Sequence, residues 1–307
     1  MSMLKRTALA GCLAAAGLLA ATAVQAIPTN VQLNWNGVAG FDTTGINQFD
    51  WQSSGDLVIR DVLPGSFACG LGTCTTFSTW AGAATVGQSV TFGFEAQARL
   101  NDLLNSAGIS IAPAALNATG ILANGGFEIT AAFSGFESAT LISAGVLQFT
   151  SITGSYKWFF DTTPDSNVAS GAGFRDGVEL LAGTLTGVSG FFGSGGGNSN
   201  LTNTVTSYNN LLIETDPVTN APLIGTTFDT LVTFAGGLQA QICNTSPGPN
   251  CPIGLTPYNV LLADLRFKAD ANSKFQGTAV PEPGTALLVG AGLLGLAWGA
   301  RRKQSSS

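Results

Sequence analysis

Oxygen-bearing side chains have the most evident chemical potential in this chain, because histidine is absent from all 307 positions. Their densest group lies in the segment Asp161-Thr162-Thr163-Pro164-Asp165-Ser166-Asn167. Oxygen ligands at alternating positions in a loop suit calcium, a hard cation. Asp161, Asp165 and Asn167 are therefore the candidate ligands of a calcium site, and no other cofactor is expected. Asp and Asn also initiate ordinary turns by bonding their own backbone, which is the alternative interpretation.

Catalysis would have to rest mainly on carboxylates. The absence of histidine excludes Ser-His-Asp and Cys-His mechanisms and histidine-bound zinc. A glycosidase needs two carboxyl groups roughly 5–10 Å apart, and the acidic residues in or beside strand-like segments are Glu95, Glu128, Glu137 and Glu179. Alternation within those segments favours solvent-facing positions for them. No residue is predicted to be catalytic.

Tryptophans could stack on sugar rings if they were exposed. Trp51 and Trp80 lie beside predicted loops and are the candidates for glycan contact. Core packing is nevertheless the favoured interpretation of each tryptophan, since its large apolar ring is usually buried in part or whole.

Four of the five cysteines lie beyond the N-terminal apolar run and form two local pairs. Export to an oxidising compartment favours disulfides, and four cysteines allow three connectivities. We favour Cys69–Cys74 and Cys243–Cys251, because each pair closes a short loop that contains Gly or Pro. A zinc site built from four thiolates is the alternative, but the spacings and the compartment suit it poorly.

The charge of the central segment limits the partners of the protein. Residues 27–279 carry 17 Asp and Glu but only 7 Lys and Arg, a net charge of −10. Such a surface repels phosphate backbones, so nucleic-acid binding is not expected.

Period-two alternation dominates the segment between the termini. Val90, Phe92, Phe94, Ala96 and Ala98 share one face of a predicted strand, and residues 127–133 repeat the pattern. Further strands are predicted at 56–62, 139–150, 155–160, 178–188, 204–214, 228–235 and 259–268, whereas only 100–107 has a helical composition. Many strands separated by turn signals predict an all-β fold, an antiparallel β-sandwich or jelly-roll-like domain.

The N-terminus has the three parts of an export signal. Lys5 and Arg6 precede an apolar run from Ala8 to Val24, and the segment ends in the small residue Ala26. We expect the secretory translocon to export the chain and signal peptidase to cleave after Ala26. The predicted domains are accordingly a signal peptide at 1–26, an exported β-rich domain at 27–279 and a C-terminal segment at 280–307.

The C-terminal segment also has three parts. Val280-Pro281-Glu282-Pro283 is followed by an uncharged stretch, 285–300, and then by Arg301-Arg302-Lys303. The stretch is shorter than the ~20 residues of a usual membrane-spanning helix. The basic cluster would stay on the cytoplasmic side of the inner membrane, which the stretch would cross transiently.

This arrangement resembles the PEP-CTERM sorting signal of Gram-negative bacteria. The resemblance implies that an exosortase, a membrane-embedded cysteine protease, recognises Val280–Pro283, the short transmembrane helix and the Arg301–Lys303 cluster. It implies removal of the helix near the Pro-Glu-Pro motif in a bacterium that makes exopolysaccharide. The precursor would be tethered to the inner membrane and the product displayed at the cell surface or in the matrix.

Short motifs of the central segment resemble the flocculation-associated branch of PEP-CTERM proteins. They occur in this order over most of 45–283: Phe49-Asp50-Trp51, Gly126–Thr130, Phe133–Glu137, Phe159–Thr162, Gly171–Gly177 and Phe267–Ser273. The chain departs from that branch where Gln52-Ser53-Ser54-Gly55 replaces an expected Pro-Gly. The resemblance implies a non-enzymatic exported protein that associates with exopolysaccharide and promotes flocculation or biofilm cohesion. The alternatives are a carboxylate-based glycan hydrolase or lyase and a structural matrix subunit that self-associates through sheet edges.

Overall fold

The computed structural model describes residues 30–34, 43–116, 126–167, 172–193, 196–215, 222–234 and 263–275. Within these ranges the chain forms thirteen strands and one short helix. The strands are β1 Val31–Leu33, β2 Thr43–Ile46, β3 Gln48–Ile59, β4 Val62–Cys69, β5 Gly72–Thr76, β6 Ser89–Leu104, β7 Glu128–Ser143, β8 Val146–Asp161, β9 Val178–Gly193, β10 Gly196–Tyr208, β11 Ile213–Thr215, β12 Thr227–Phe234 and β13 Leu265–Phe275, and the helix is α1 Phe77–Ala83.

Eight strands form one antiparallel sheet that closes on itself, in the order β10-β12-β13-β3-β6-β7-β8-β9. Two small sheets accompany it, β11-β1-β2 and the hairpin β4-β5. The predicted antiparallel all-β fold is therefore confirmed, and opposite sides of the closed sheet face each other across one core, as the layers of a sandwich do. Closure leaves the long strands without a free hydrogen-bonding edge.

Side-chain alternation decides which residues fill the barrel. In β6, Phe92, Phe94 and Ala98 are buried, whereas Thr91 and Glu95 of the opposite face are only partly buried. The helix predicted at 100–107 is wrong, because residues 100–104 continue β6 and the chain then enters a turn. Cross-strand pairing of Leu100 with Trp51 and of Leu103 with Phe49 overrides the local composition there.

The strand predicted at 139–150 is in fact a hairpin. β7 ends at Ser143 and β8 begins at Val146. Gly145 lies in the turn at φ 71°, a left-handed conformation that glycine adopts without steric cost. Continuous apolar alternation on both sides of the turn concealed it in the sequence.

Aromatic side chains fill the two ends of the barrel. At one end Trp158 packs 4.7 Å from Phe49 and 5.0 Å from Trp51, measured between ring centroids. Towards the other end of β3, Phe192 packs 5.4 Å from Phe267 and 5.6 Å from Phe234. Small residues line the space between these clusters: Gly55, Ala96, Ala98, Ala269 and Ala271.

Glu137 of β7 extends into this apolar interior. It shares the parity of buried Phe133 and Ala139, and its side chain is only 8% exposed. Its Oε1 atom has no hydrogen-bond partner among the described residues. Desolvation by burial raises the pKa of Glu137 from 4.5 to about 8, because burial penalises the charged carboxylate.

We predict that Glu137 makes the barrel less stable as the pH rises. Between the unfolded pKa of 4.5 and the folded pKa of about 8, the folded state holds a proton that the unfolded state has released. The stabilisation is therefore complete below the unfolded pKa, falls by ~1.4 kcal/mol per pH unit above it, and is lost as the pH passes the folded pKa. Glu137→Gln cannot ionise at this position. As the pH rises from about 5 to about 8, the melting temperature of the native chain should therefore fall relative to that of this variant.

The partly exposed Glu179 provides the matched control, because Lys157 Nζ lies 2.7 Å from its carboxylate at the surface. Thermal unfolding of Glu179→Gln should follow the native pH profile. Parallel profiles of the native chain and Glu137→Gln would contradict the prediction.

Candidate functional site

The two tryptophans considered for glycan contact lie in the core. Trp51 is 1% exposed and Trp80 is fully buried. Trp51 Nε1 donates a hydrogen bond to Ser273 Oγ at 2.8 Å, and Trp80 Nε1 donates to the Ala68 carbonyl at 3.0 Å. Neither indole offers a face to a sugar, so the glycan-contact prediction is wrong for both. Both tryptophans pack in the core, in agreement with the favoured interpretation.

The predicted Cys69–Cys74 disulfide is confirmed. It joins the last residue of β4 to the middle residue of β5, with Cα atoms 5.9 Å apart, and Gly70 turns the chain between the strands at φ 57°. Helix α1 follows directly, and Thr76 Oγ1 caps its start by accepting from the Thr79 backbone N–H at 3.3 Å. The bridge therefore fixes the hairpin that leads into α1.

Three carboxylates converge where β7 begins and β8 ends. Each of Glu128, Asp161 and Asp165 offers an oxygen, and these oxygens lie within 4.8 Å of one another. Asn167 follows close by as an exposed residue whose backbone N–H donates to the Ala172 carbonyl at 3.0 Å. Partial burial, and then the negative charges of Asp176 and Asp161, raise the pKa of Asp165. These oxygens could hold a divalent cation.

Glu128 organises this acidic loop. It is fully buried and accepts the backbone N–H groups of Asp165 at 3.0 Å and Ser166 at 2.9 Å, together with the Ser166 hydroxyl. Arg99 Nη1 donates to the Ser166 carbonyl at 3.0 Å from the other side. The sequence placed Glu128 on a solvent face, and that expectation is wrong because the 162–167 segment folds over it.

Aromatic and polar side chains meet in an open groove on the outside of the barrel. It has a volume of about 640 Å³ and crosses β6, β7 and β8 beside the start of β4. Phe136 is 50% exposed at this groove. Gly93 forms part of the floor, where an added Cβ would lie 3.3 Å from Arg60 Cγ and 3.8 Å from Phe136 Cε1. Glycine at this position therefore keeps the space between the ring and the guanidinium stem open.

Two carboxylates hold Arg60 rigidly at the groove. Its Nη2 lies 2.7 Å from Glu95 Oε1 and its Nη1 lies 2.7 Å from Asp264 Oδ2. Both Arg60 and Glu95 are 24% exposed, and Arg175 Nη2 lies 3.8 Å from the other oxygen of Glu95. Planar hydrogen-bonding groups are thereby fixed beside an exposed aromatic ring.

Sequence reasoning missed this groove. The parity of β7 carried a signal for Phe136, because Phe133 and Glu137 share one face and Phe136 lies on the other. No local pattern could identify the Arg60–Asp264 pair, since the two residues are 204 positions apart.

The four acidic residues considered for catalysis occupy separate places. Glu95 lies at the outer groove, Glu137 lies inside the barrel, and Glu128 lies beneath the acidic loop. Glu179 forms a surface ion pair with Lys157. Neither Glu137 nor Glu128 lies on the solvent face that was expected for it. For Glu137 the reason is that its position along β7 points into the barrel.

Comparison with known families identifies the PEP-CTERM protein-sorting motif at residues 279–303. No curated protein and no solved structure matches the chain. The motif indicates an exported protein with an exosortase as its processing partner. It implies a membrane-anchored precursor that is processed and released to the cell surface. The resemblance of the C-terminus to a PEP-CTERM signal is thus confirmed.

Several predicted processing and bridging residues lie outside the described ranges: Ala26, Cys243, Cys251, Val280, Pro281, Glu282, Pro283, Arg301, Arg302 and Lys303. Of the helices in the described part of the chain, none is long and apolar enough to cross a membrane.

We predict that calcium stabilises the protein through the acidic loop. Desolvation, and then the negative charges of Asp176 and Asp161, raise the pKa of Asp165, and a bound cation would oppose both effects by favouring the carboxylate. A ligand at about 100 times its Kd adds ~2.7 kcal/mol. The melting temperature should then rise by about 5–10 °C. Asp165→Asn should abolish most of this rise, whereas Asp270→Asn, an exposed aspartate on β13, should keep it. An unchanged melting temperature in excess calcium would reject the site.

Proposed function

We propose that this exosortase-sorted protein associates with exopolysaccharide through the groove at Phe136 and thereby promotes flocculation or biofilm cohesion. The main observation in support of this proposal is that the half-exposed Phe136 ring lies beside the fixed Arg60–Glu95 pair. The order of motifs shared with the flocculation-associated branch supports the same assignment.

The chemistry of the groove suits a sugar polymer. A pyranose ring presents C–H groups on its faces and hydroxyls at its rim, so it can pack on an aromatic face while its hydroxyls bond polar neighbours. Arg60 supplies donors and Glu95 supplies acceptors, and hydrogen bonds to charged groups are stronger than neutral ones. Because two carboxylates already hold Arg60 in place, ligand binding would cost little side-chain entropy.

Charge favours a neutral or weakly charged glycan. Residues 27–279 carry a net charge of −10, and Glu95 and Asp264 compensate Arg60 within the groove. A strongly anionic polymer would be repelled. Many copies displayed along one polymer would convert weak individual contacts into avidity.

We predict that Phe136→Ala weakens binding to purified exopolysaccharide about fivefold, because the stacking contribution of one ring is ~1 kcal/mol. Co-sedimentation of the exported protein with the polysaccharide measures this effect. Phe191→Ala is the matched control, since Phe191 is also 50% exposed but lies outside the groove. Equal binding by the two variants would contradict the groove assignment.

A cell-level experiment separates sorting from attachment. Deletion of the gene should reduce aggregation, and the full chain should restore it. A chain that lacks 280–307 should be exported but fail to restore aggregation, because it lacks the exosortase motif, whereas Phe136→Ala should be sorted normally and restore it only in part. Normal aggregation of the deletion strain would overturn the proposed function, and full rescue by the truncated chain would overturn the role of sorting in it.

A further inference from the structure

The middle of the barrel contains a small internal cavity, distinct from the outer groove. Its volume is about 50 Å³, and small or apolar residues such as Ala96, Ala98, Ala269 and Phe133 line it. A second cavity of about 20 Å³ lies towards the end filled by Phe192 and Phe267. The aromatic clusters thus leave an unfilled space where the inward-facing residues are small.

Leu57, Glu137 and Phe234 line both cavities. These three side chains therefore form the wall between the two spaces. A rotamer change in one of them would join the cavities and enlarge the space available to an occupant.

Three residues at the larger cavity have buried polar atoms without a hydrogen-bond partner among the described residues: Glu137 at Oε1, Ser199 at Oγ, and Gln97 at both amide atoms. Glu137 is 8% exposed and Ser199 is 2% exposed. A buried polar group without a partner costs about 1–3 kcal/mol. Three residues with such groups at one cavity indicate an occupant that bonds some of them.

A third polar group, Thr230, borders the same cavity but is already engaged. Its hydroxyl lies 2.8 Å from Ser273 Oγ and accepts from Asn203 Nδ2 at 3.0 Å. The carboxylate of Asp56, the other acidic residue of the lining, is bound by Arg266 Nη2 at 2.6 Å. Glu137, Ser199 and Gln97 are thus the described lining residues with unused hydrogen-bonding capacity.

We propose that the barrel interior is a binding site for a small neutral molecule that has a compact apolar body and one hydroxyl or carbonyl group. The apolar part contacts the alanine methyl groups and Phe133, and the polar group bonds Glu137 and Ser199. A cavity of about 150 Å³ accepts benzene. The 50 Å³ space therefore selects a molecule smaller than benzene.

The molecule is neutral because Arg266 already balances the charge of Asp56, and among the described lining residues Glu137 is the other ionisable group. Burial raises the pKa of Glu137 to about 8, so its carboxyl group is mostly protonated at neutral pH. A protonated carboxyl can donate through its O–H and accept through its other oxygen. It therefore matches an alcohol or a carbonyl better than a cation or an anion.

Propan-2-ol is a suitable probe, and xenon is its apolar counterpart for the same cavity. The exported protein is titrated with each while the methyl NMR signals of Ala96, Ala98, Ala269 and Ala271 are followed. Propan-2-ol should shift these signals saturably. Ser199→Ala should weaken the binding of propan-2-ol about fivefold, because one hydrogen bond is lost. The same variant should leave xenon binding unchanged.

Ala98→Val fills the cavity and should abolish binding of both probes, whereas Ala81→Val on the exposed face of α1 should change neither. Thermal unfolding verifies that each variant is folded. If Ala98→Val does not fold, the comparison of the native chain with Ser199→Ala is sufficient to test the proposal. A linear, non-saturable response to propan-2-ol would mean that the cavity holds water alone and would overturn the proposal. Equal affinity of the native chain and Ser199→Ala for propan-2-ol would also overturn it.

Discussion

Closure of the sheet by β13 is the constraint on which the rest of the structure depends. This strand pairs with β12 on one side and with β3 on the other, so it joins the last described part of the chain to one of the first. Ser273 accepts from Trp51 and Arg266 binds Asp56 across the same seam. Without β13 the sheet would have two open edges, and its apolar inner face would be exposed.

Closure also forces the aromatic residues inward and the short polar residues outward. The outer faces of neighbouring strands pair hydroxyls, as between Thr91 and Ser138 at 2.8 Å. Phe136 and Phe191 are both half-exposed rings on this surface, and of the two Phe136 lies in the groove. The ring remains accessible because Gly93 has no side chain to fill the space before it. The outer groove and the inner cavity thus have related origins, since small residues leave space in both.

Local pattern was sufficient for the parts of the structure with a local cause. Alternation placed Phe92 and Phe94 in a strand, and the short spacing of Cys69 and Cys74 predicted their bridge. Trp51 precedes Gln52-Ser53-Ser54-Gly55, which has the composition of a loop, but β3 continues through this segment with a register irregularity between Trp51 and Asp56. The charge of Glu137 predicts a solvent-facing position, whereas its parity with Phe133 and Ala139 directs it inward. The Arg60–Asp264 pair depends on closure and has no local signal.

Sorting and display depend on separate segments of the chain. β13 ends at Phe275, and the sorting motif begins at residue 279. Processing within the matched motif would therefore leave every described strand of the barrel intact. The same order along the chain means that the closing strand is synthesised just before the sorting segment. Because β13 pairs with both β12 and β3, the barrel can close only when almost all of its sequence is free to fold.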